Sequence, residues 1–230
     1  MHILDHIPLR YDKDRLYREL QIERLKGKAG EVEPLIEESF KQLEPKAAYI
    51  YLQVEDIAED MVRLEGGYVL KGAILADKLR STQTVAPYVV TIGSRLEEKV
   101  SELARSNLLH AWLLDRIGNH AVRLSREFLQ KIVEEKLAGE VSIFSPGSGT
   151  GEFFGIEQQK EIFRILSPED KIGVTLTDSY LMIPAKSVSG IFTSTQEKYV
   201  ACQHCPREKC ESRRAPFQGE YRLAHVDPRL

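Results

Sequence analysis

Apolar positions along this chain change their period three times, and each change marks a set of elements. Up to Pro45 they recur at helical spacing. Asp12 or Asp14 can cap a segment running through Leu16, Leu20 and Ile22, with Gly27 and Gly30 closing it. Val32, Leu35, Ile36, Phe40 and Leu43 form one stripe of a second helix from about Glu31 to Leu43. Pro34 falls in its first turn, where a missing N–H costs nothing, and Pro45 ends it.

From Ala47 the pattern becomes that of strands. Residues 48–54 are rich in aromatic and β-branched side chains, and 61–64 and 68–70 flank a Glu65-Gly66-Gly67 turn as a hairpin. Residues 72–75 either continue that second strand or open a helix. Residues 87–93 read as a further strand, with Ser94 as N-cap of the helix after it. The longest helix is expected from about Asn107 into Lys136, because Leu109, Leu113, Ile117, Ala121, Leu124, Phe128 and Ile132 recur at three- and four-residue steps, with Gly139 as its stop. A glycine- and serine-rich loop, 144–151, then leads from that helix into a short one from about Glu157 to Leu166. Strands at 174–177, 180–183 and 186–192 finish the pattern, and the segment after Tyr199 is polar and irregular.

Bulk properties narrow the class. The chain has 230 residues, 42% hydrophobic and 29% charged, enough for a core in one large domain or two small ones. A net charge of -3 and a pI near 6.1 argue against a dedicated nucleic-acid binder. No apolar run approaches the roughly 18 residues that span a bilayer. The first residues lack the cationic start and apolar core of a signal peptide. The 3 cysteines sit together near the C-terminus, which fits a reducing compartment, and cytoplasm is the expected location.

Candidate chemistry gathers between residues 144 and 210. The loop Phe144-Ser145-Pro146-Gly147-Ser148-Gly149-Thr150-Gly151 allows positive φ angles, and its N–H groups could cradle a carboxylate or phosphate. No Gly-Lys-Ser/Thr follows, so it is not a Walker loop, and its spacing is not that of a dinucleotide fingerprint. Further on, Cys202, Cys205 and Cys210 follow C-x2-C-x4-C, a spacing that lets two thiolates face one ion from a tight turn while the third closes the site. His204 or His225 would be a fourth ligand to zinc or an iron–sulfur cluster. Without a metal, Arg207 and Lys209 would favour low-pKa thiolates and a redox pair.

The order of the pieces from 144 to 199, with Leu176-Thr177-Asp178-Ser179-Tyr180-Leu181-Met182-Ile183-Pro184 and Lys186-Ser187-Val188-Ser189-Gly190, resembles the C-terminal activation domain of cobalamin-dependent methionine synthase. The resemblance implies an α+β fold, a curved antiparallel sheet with flanking helices in a C-shape. It implies an S-adenosylmethionine site using Ser145, Pro146, Gly147, Gly149 and Thr150 from the loop, Ser189 from the cleft-lining sheet, and Tyr199 from the Lys198-Tyr199 pair. It also implies a function: supporting reductive methylation of cob(II)alamin on a separate corrinoid methyltransferase, acting in trans with an electron donor protein. Residues 1–199 would form the activation domain and 200–230 a cysteine-containing segment.

The chain departs from that pattern at three places. The family carries an arginine at the start of the loop and a tyrosine after its glycine, where this chain has Ser145 and Thr150; shorter relatives place the tyrosine where Ser148 stands. Near the position of Arg123 the family carries a helix glutamate that helps hold the ligand's amino group; Arg123 has the opposite charge, so that role does not carry over. A competing expectation follows: a metal- or iron–sulfur-binding redox or interaction module that keeps the fold without S-adenosylmethionine.

Overall fold

A computed structural model of the chain describes residues 1–24, 29–137, 140–148, 153–195, 198–210, 213–219 and 221. Helices α1 (Lys13–Glu19) and α2 (Ala29–Lys41) come early, after strand β1 (His2–Leu4). Strands β2 (Lys46–Tyr49), β3 (Leu52–Ile57), β4 (Met61–Leu64) and β5 (Tyr68–Lys71) follow, then α3 (Ala73–Leu79) and β6 (Thr84–Thr91). Helices α4 (Arg95–Leu103) and α5 (Leu108–Glu134) lead to β7 (Glu140–Phe144). Helices α6 (Gln159–Leu166) and α7 (Pro168–Ile172), a small β8 (Thr175–Leu176) and β9 (Met182–Ile183) pair, and β10 (Ser187–Thr195) complete the order.

Among the described residues, eight strands make one antiparallel sheet curled into a half-barrel, ordered β1-β2-β6-β3-β4-β5, with β10 on the other edge of β6 and β7 beyond it. β6 is the hub. Val85 and Val89 face one core, with Phe144, Ile191 and helices α3 and α6; Ala86, Tyr88 and Val90 face another, with Phe192, Leu129 and Val133. That two-residue alternation with both faces apolar is why the strand reads as continuously hydrophobic. A third core joins α1, α2, α4 and the first half of α5. α5, about 40 Å long at 1.5 Å per residue, therefore bridges a helical core and a sheet. No helix among the described residues is long and apolar enough to cross a membrane.

Local signals explain most boundaries. The Asp12 carboxylate accepts from the Arg15 N–H at 2.7 Å, and the Asn107 side chain accepts from the His110 N–H at 3.1 Å, each capping a helix. The hairpin forms as expected, with Leu64 opposite Tyr68 and both turn glycines at positive φ. Residues 72–75 open helix α3.

Three expectations are corrected. Residues 48–54 are two strands, not one. Tyr49 pairs with Tyr88 and Leu52 with Val85, so the break lies opposite Pro87, which has no N–H to give across that edge. β1 was not expected; its three residues pair with β2, far away in sequence. Nor was β7, so the glycine loop follows a strand rather than a helix. β7 exists because β10 pairs with it from Ile191–Phe144 to Thr195–Glu140. Gly190 of β10 has a packing reason: a Cβ there would lie 2.5 Å from the Phe144 carbonyl and 2.8 Å from the Tyr88 hydroxyl.

Candidate functional site

A cavity of about 880 Å³ opens between α5, the loop after β7 and the cysteine segment. Its size is that of a small-molecule site. The α5 wall is a stripe at helical spacing, Arg116, Asn119, Arg123 and Arg126. That stripe is the polar counterpart of the apolar face used to predict the helix, and sequence reasoning passed it over.

Arg123 and Arg116 are held by Glu19 at the end of α1. The Glu19 carboxylate accepts from Arg123 and lies 2.8 Å from His120 Nδ1, while its backbone carbonyl accepts from Arg116 at 3.0 Å. Arg15 adds a two-pronged pair to Glu127 at 2.9 and 3.1 Å. Burial would raise the Glu19 carboxyl, but the His120 hydrogen bond and the Arg123 charge outweigh it and hold it below the usual range. His120 is fully buried, and burial pushes its pKa down despite Glu19. The neutral Nδ1–H tautomer satisfies this geometry, since Nε2 has no partner among the described residues.

Both shifts stabilise the fold towards neutral pH. A group whose folded pKa is depressed binds its proton more readily when unfolded, so stability falls as pH drops. The His120 contribution is lost from the ordinary value of 6.5 downwards, and that of Glu19 from 4.5 downwards. We expect the melting temperature to fall between about pH 7 and about pH 5. In His120→Gln the fall should begin only nearer the carboxylate range. A variant that keeps the wild-type slope above 5 would show that His120 is not the titrating group.

Arg126 differs from its neighbours. Its guanidinium makes no hydrogen bond or ion pair to any described residue, and its Nε is buried without a partner. Burial lowers its pKa, and Arg214 and Arg123 add to this. Its charge is felt by the buried Tyr88, which in turn neighbours Ser145. The Tyr88 hydroxyl is buried, pushed up in pKa by burial, and lacks a partner with hydrogen-bond geometry.

The loop itself is a tight turn. Gly147, at φ 74°, donates its N–H to the Phe154 carbonyl at 2.8 Å, and Ser148 donates to the Ser145 carbonyl at 3.1 Å. These two N–H groups therefore hold the turn and are not free to cradle an anion, contrary to the sequence expectation. Gly147 and Ser148 line the cavity, whereas Ser145 and Pro146 are half-buried and are not among its described lining residues. Gly149 and Thr150 lie outside the described residues. Ser189 faces the interior, its hydroxyl donating to Gln159 Oε1 at 3.4 Å, and its neighbour Val188 reaches the cavity instead. Lys186 is engaged by Asp115 and Asn119 on α5.

Tyr199 is a core residue behind the cysteine segment. Its ring is sandwiched between Phe144, at 4.8 Å and 6°, and His204, at 5.8 Å and 12°, with Tyr221 edge-on at 6.2 Å. The backbone N–H donates to Ser142 Oγ at 2.8 Å, while the hydroxyl is buried, unpartnered and pushed well up in pKa by burial, with Tyr221 and Cys202 adding.

Cys202, Cys205 and Cys210 are free thiols, all half-buried and all on one wall of the cavity. Arg213 shapes that wall by donating to the carbonyls of Cys202 at 2.7 Å, Cys205 at 3.0 Å and Arg207. Cys202 Sγ accepts from the Arg214 N–H at 3.4 Å. The thiols do not converge: among the described residues, no three His, Cys, Asp or Glu side chains are placed to hold an ion. His225 lies outside the described residues.

Comparison with known proteins turns on these elements. A search of curated protein sequences finds no match. The fold is similar to a crystal structure of the MetH reactivation domain bound to AdoHcy, with a TM-score of 0.59 at 16% identity, over 84% of this chain and 73% of that one. Residues 68–215 match the family model of the vitamin B12 dependent methionine synthase activation domain. That stretch is more than half of the chain and holds β5 to β10, the arginine stripe and the cysteine wall, so the chain belongs to the vitamin B12 dependent methionine synthase activation domain family.

Proposed function

We propose that this chain reactivates a cobalamin-dependent methionine synthase or related corrinoid methyltransferase, acting in trans as a stand-alone activation domain with S-adenosylmethionine as methyl donor. The overall chemistry belongs to the cofactors: one electron from a donor protein and a methyl group from S-adenosylmethionine convert cob(II)alamin on the partner to methylcobalamin, leaving S-adenosylhomocysteine. The protein's contribution is to bind and orient the donor. Residues 1–199 form the activation domain in this reading, and 200–230 the cysteine-containing segment.

The observation that carries it is Arg126, a guanidinium with no ion pair among the described residues, in a cavity of ligand size, in a chain of this family. Its fork suits the donor's carboxylate, the role an arginine at the loop start fills in the family pattern. Gly147 and Ser148 supply the loop wall. Ser189 and Tyr199 act from behind it, through Gln159 and through the aromatic stack. Calorimetric titration with S-adenosylmethionine tests the reading: micromolar binding is expected, followed by reactivation of a cobalamin methyltransferase in a reconstituted system. An absence of binding would remove the donor and leave the family fold without this activity.

A second reading is favoured by one observation, that all three cysteines share the cavity wall. Cys202, Cys205 and Cys210 would then hold zinc or an iron–sulfur cluster in a redox module after a rearrangement of the segment, since they do not converge as placed. Anaerobically purified wild type would contain metal that the triple serine variant lacks. Metal-free wild type would dismiss the idea.

A further inference from the structure

The cavity carries more positive charge than its proposed ligand can use. Among the described residues, five arginines line it, Arg116, Arg123, Arg126, Arg207 and Arg214, and one carboxylate, Glu19. Glu19 is already committed to Arg123 and His120. Arg126, Arg207 and Arg214 have no ion pair among the described residues. They come from two facing walls, α5 and the cysteine segment, and Arg214 is close enough to Arg126 for their charges to repel. Arg213 fixes the second wall through the carbonyls of Cys202, Cys205 and Arg207, so Arg207 and Arg214 project from a pinned loop.

S-adenosylmethionine does not remove this surplus. It brings one carboxylate, but its ammonium and sulfonium make it a net cation. With Arg126 engaged by that carboxylate, Arg207 and Arg214 would remain uncompensated beside a positively charged ligand. A concave, arginine-lined site focuses anions, and guanidinium forks match phosphate oxygens in pairs.

We infer that the cleft holds a second site, built on Arg207 and Arg214, for a phosphate-bearing ligand. The phosphate has two chemical sources: a free nucleotide or pyrophosphate, or the phosphodiester in the nucleotide tail of a corrinoid. The surplus is present with or without S-adenosylmethionine, so the site does not depend on the methyl donor.

The test is calorimetry on the full chain with pyrophosphate, with ADP, and with cobalamin against cobinamide, which lacks the phosphodiester. At least one phosphate-bearing probe should bind, more weakly as salt rises. Its affinity should drop by about tenfold or more in the Arg207→Gln/Arg214→Gln double variant. Both side chains are exposed, so the variant should melt as wild type does; Arg207→Gln alone serves if it does not. Binding of ADP or pyrophosphate assigns a free nucleotide, and binding of cobalamin but not cobinamide assigns the corrinoid tail. The inference is overturned if no phosphate probe binds, or if the variants bind as tightly as wild type. Titrating S-adenosylmethionine into the same sample separates the two readings. Donor binding without phosphate binding sinks only the second site, and phosphate binding without donor binding sinks only the methyl-donor role.

Discussion

Tyr199→Ala is expected to destabilise the protein by about 3–5 kcal/mol, the usual cost of deleting a buried aromatic ring. The ring is 6% exposed and holds together pieces that sequence separates: Phe144 at the end of β7, His204 in the cysteine segment, and Tyr221 near the chain's end. Stacking adds to its burial, at about 0.5–1.5 kcal/mol per aromatic pair. For a chain of this size the melting temperature should fall by on the order of 10 °C. Tyr199→Phe is the informative partner. The hydroxyl has no hydrogen-bond partner among the described residues, so removing it should leave stability unchanged or slightly raised. If the hydroxyl touches S-adenosylmethionine, as the family pattern implies, the phenylalanine variant will melt normally and bind the donor more weakly. If it binds equally well, the residue serves the fold alone.

Arg126→Met should have the opposite profile. A partly buried guanidinium with no ion pair among the described residues is a cost to the folded state, so replacing it with an apolar side chain should be neutral or stabilising. Binding should suffer: losing a hydrogen-bonded charge partner costs about 1.5–3 kcal/mol, roughly a tenfold to hundredfold weaker affinity for S-adenosylmethionine. Arg126→Lys should recover only part of this, because an ammonium cannot reproduce a two-pronged contact. Unchanged donor affinity in Arg126→Met would remove the carboxylate assignment, whatever its effect on the melting temperature.

The two residues show why part of the site was legible and part was not. The loop was legible because glycine and serine near a proline announce positive φ angles by composition alone. Tyr199 was recognisable by its place in a family pattern, but not its surroundings. Whether it faces a ligand or a core depends on the cysteine segment folding back over it. Arg126 was invisible as a site residue. On a helix whose apolar stripe was plain, an arginine is by default a solvated face, and only the approach of β7 and the cysteine segment makes that face a wall. The three thiols are the reverse case: their spacing suggests a metal site, yet they do not converge as placed, in a segment whose Cys202, Cys205 and Arg207 carbonyls are bound by Arg213.

By itself, the sequence determined the local elements: the caps at Asp12 and Asn107, the hairpin turned by Gly66 and Gly67, the span of α5, and the order of pieces that marks the family. These depend on residues within a few turns of one another, where periodicity and capping chemistry are written directly into the chain. The tertiary structure alone decided which strands exist at β1 and β7, where Pro87 breaks its neighbour, and which arginines meet across the cleft. Each of those depends on a partner tens of residues away, and a short strand or a lone charge has no preferred state until that partner arrives.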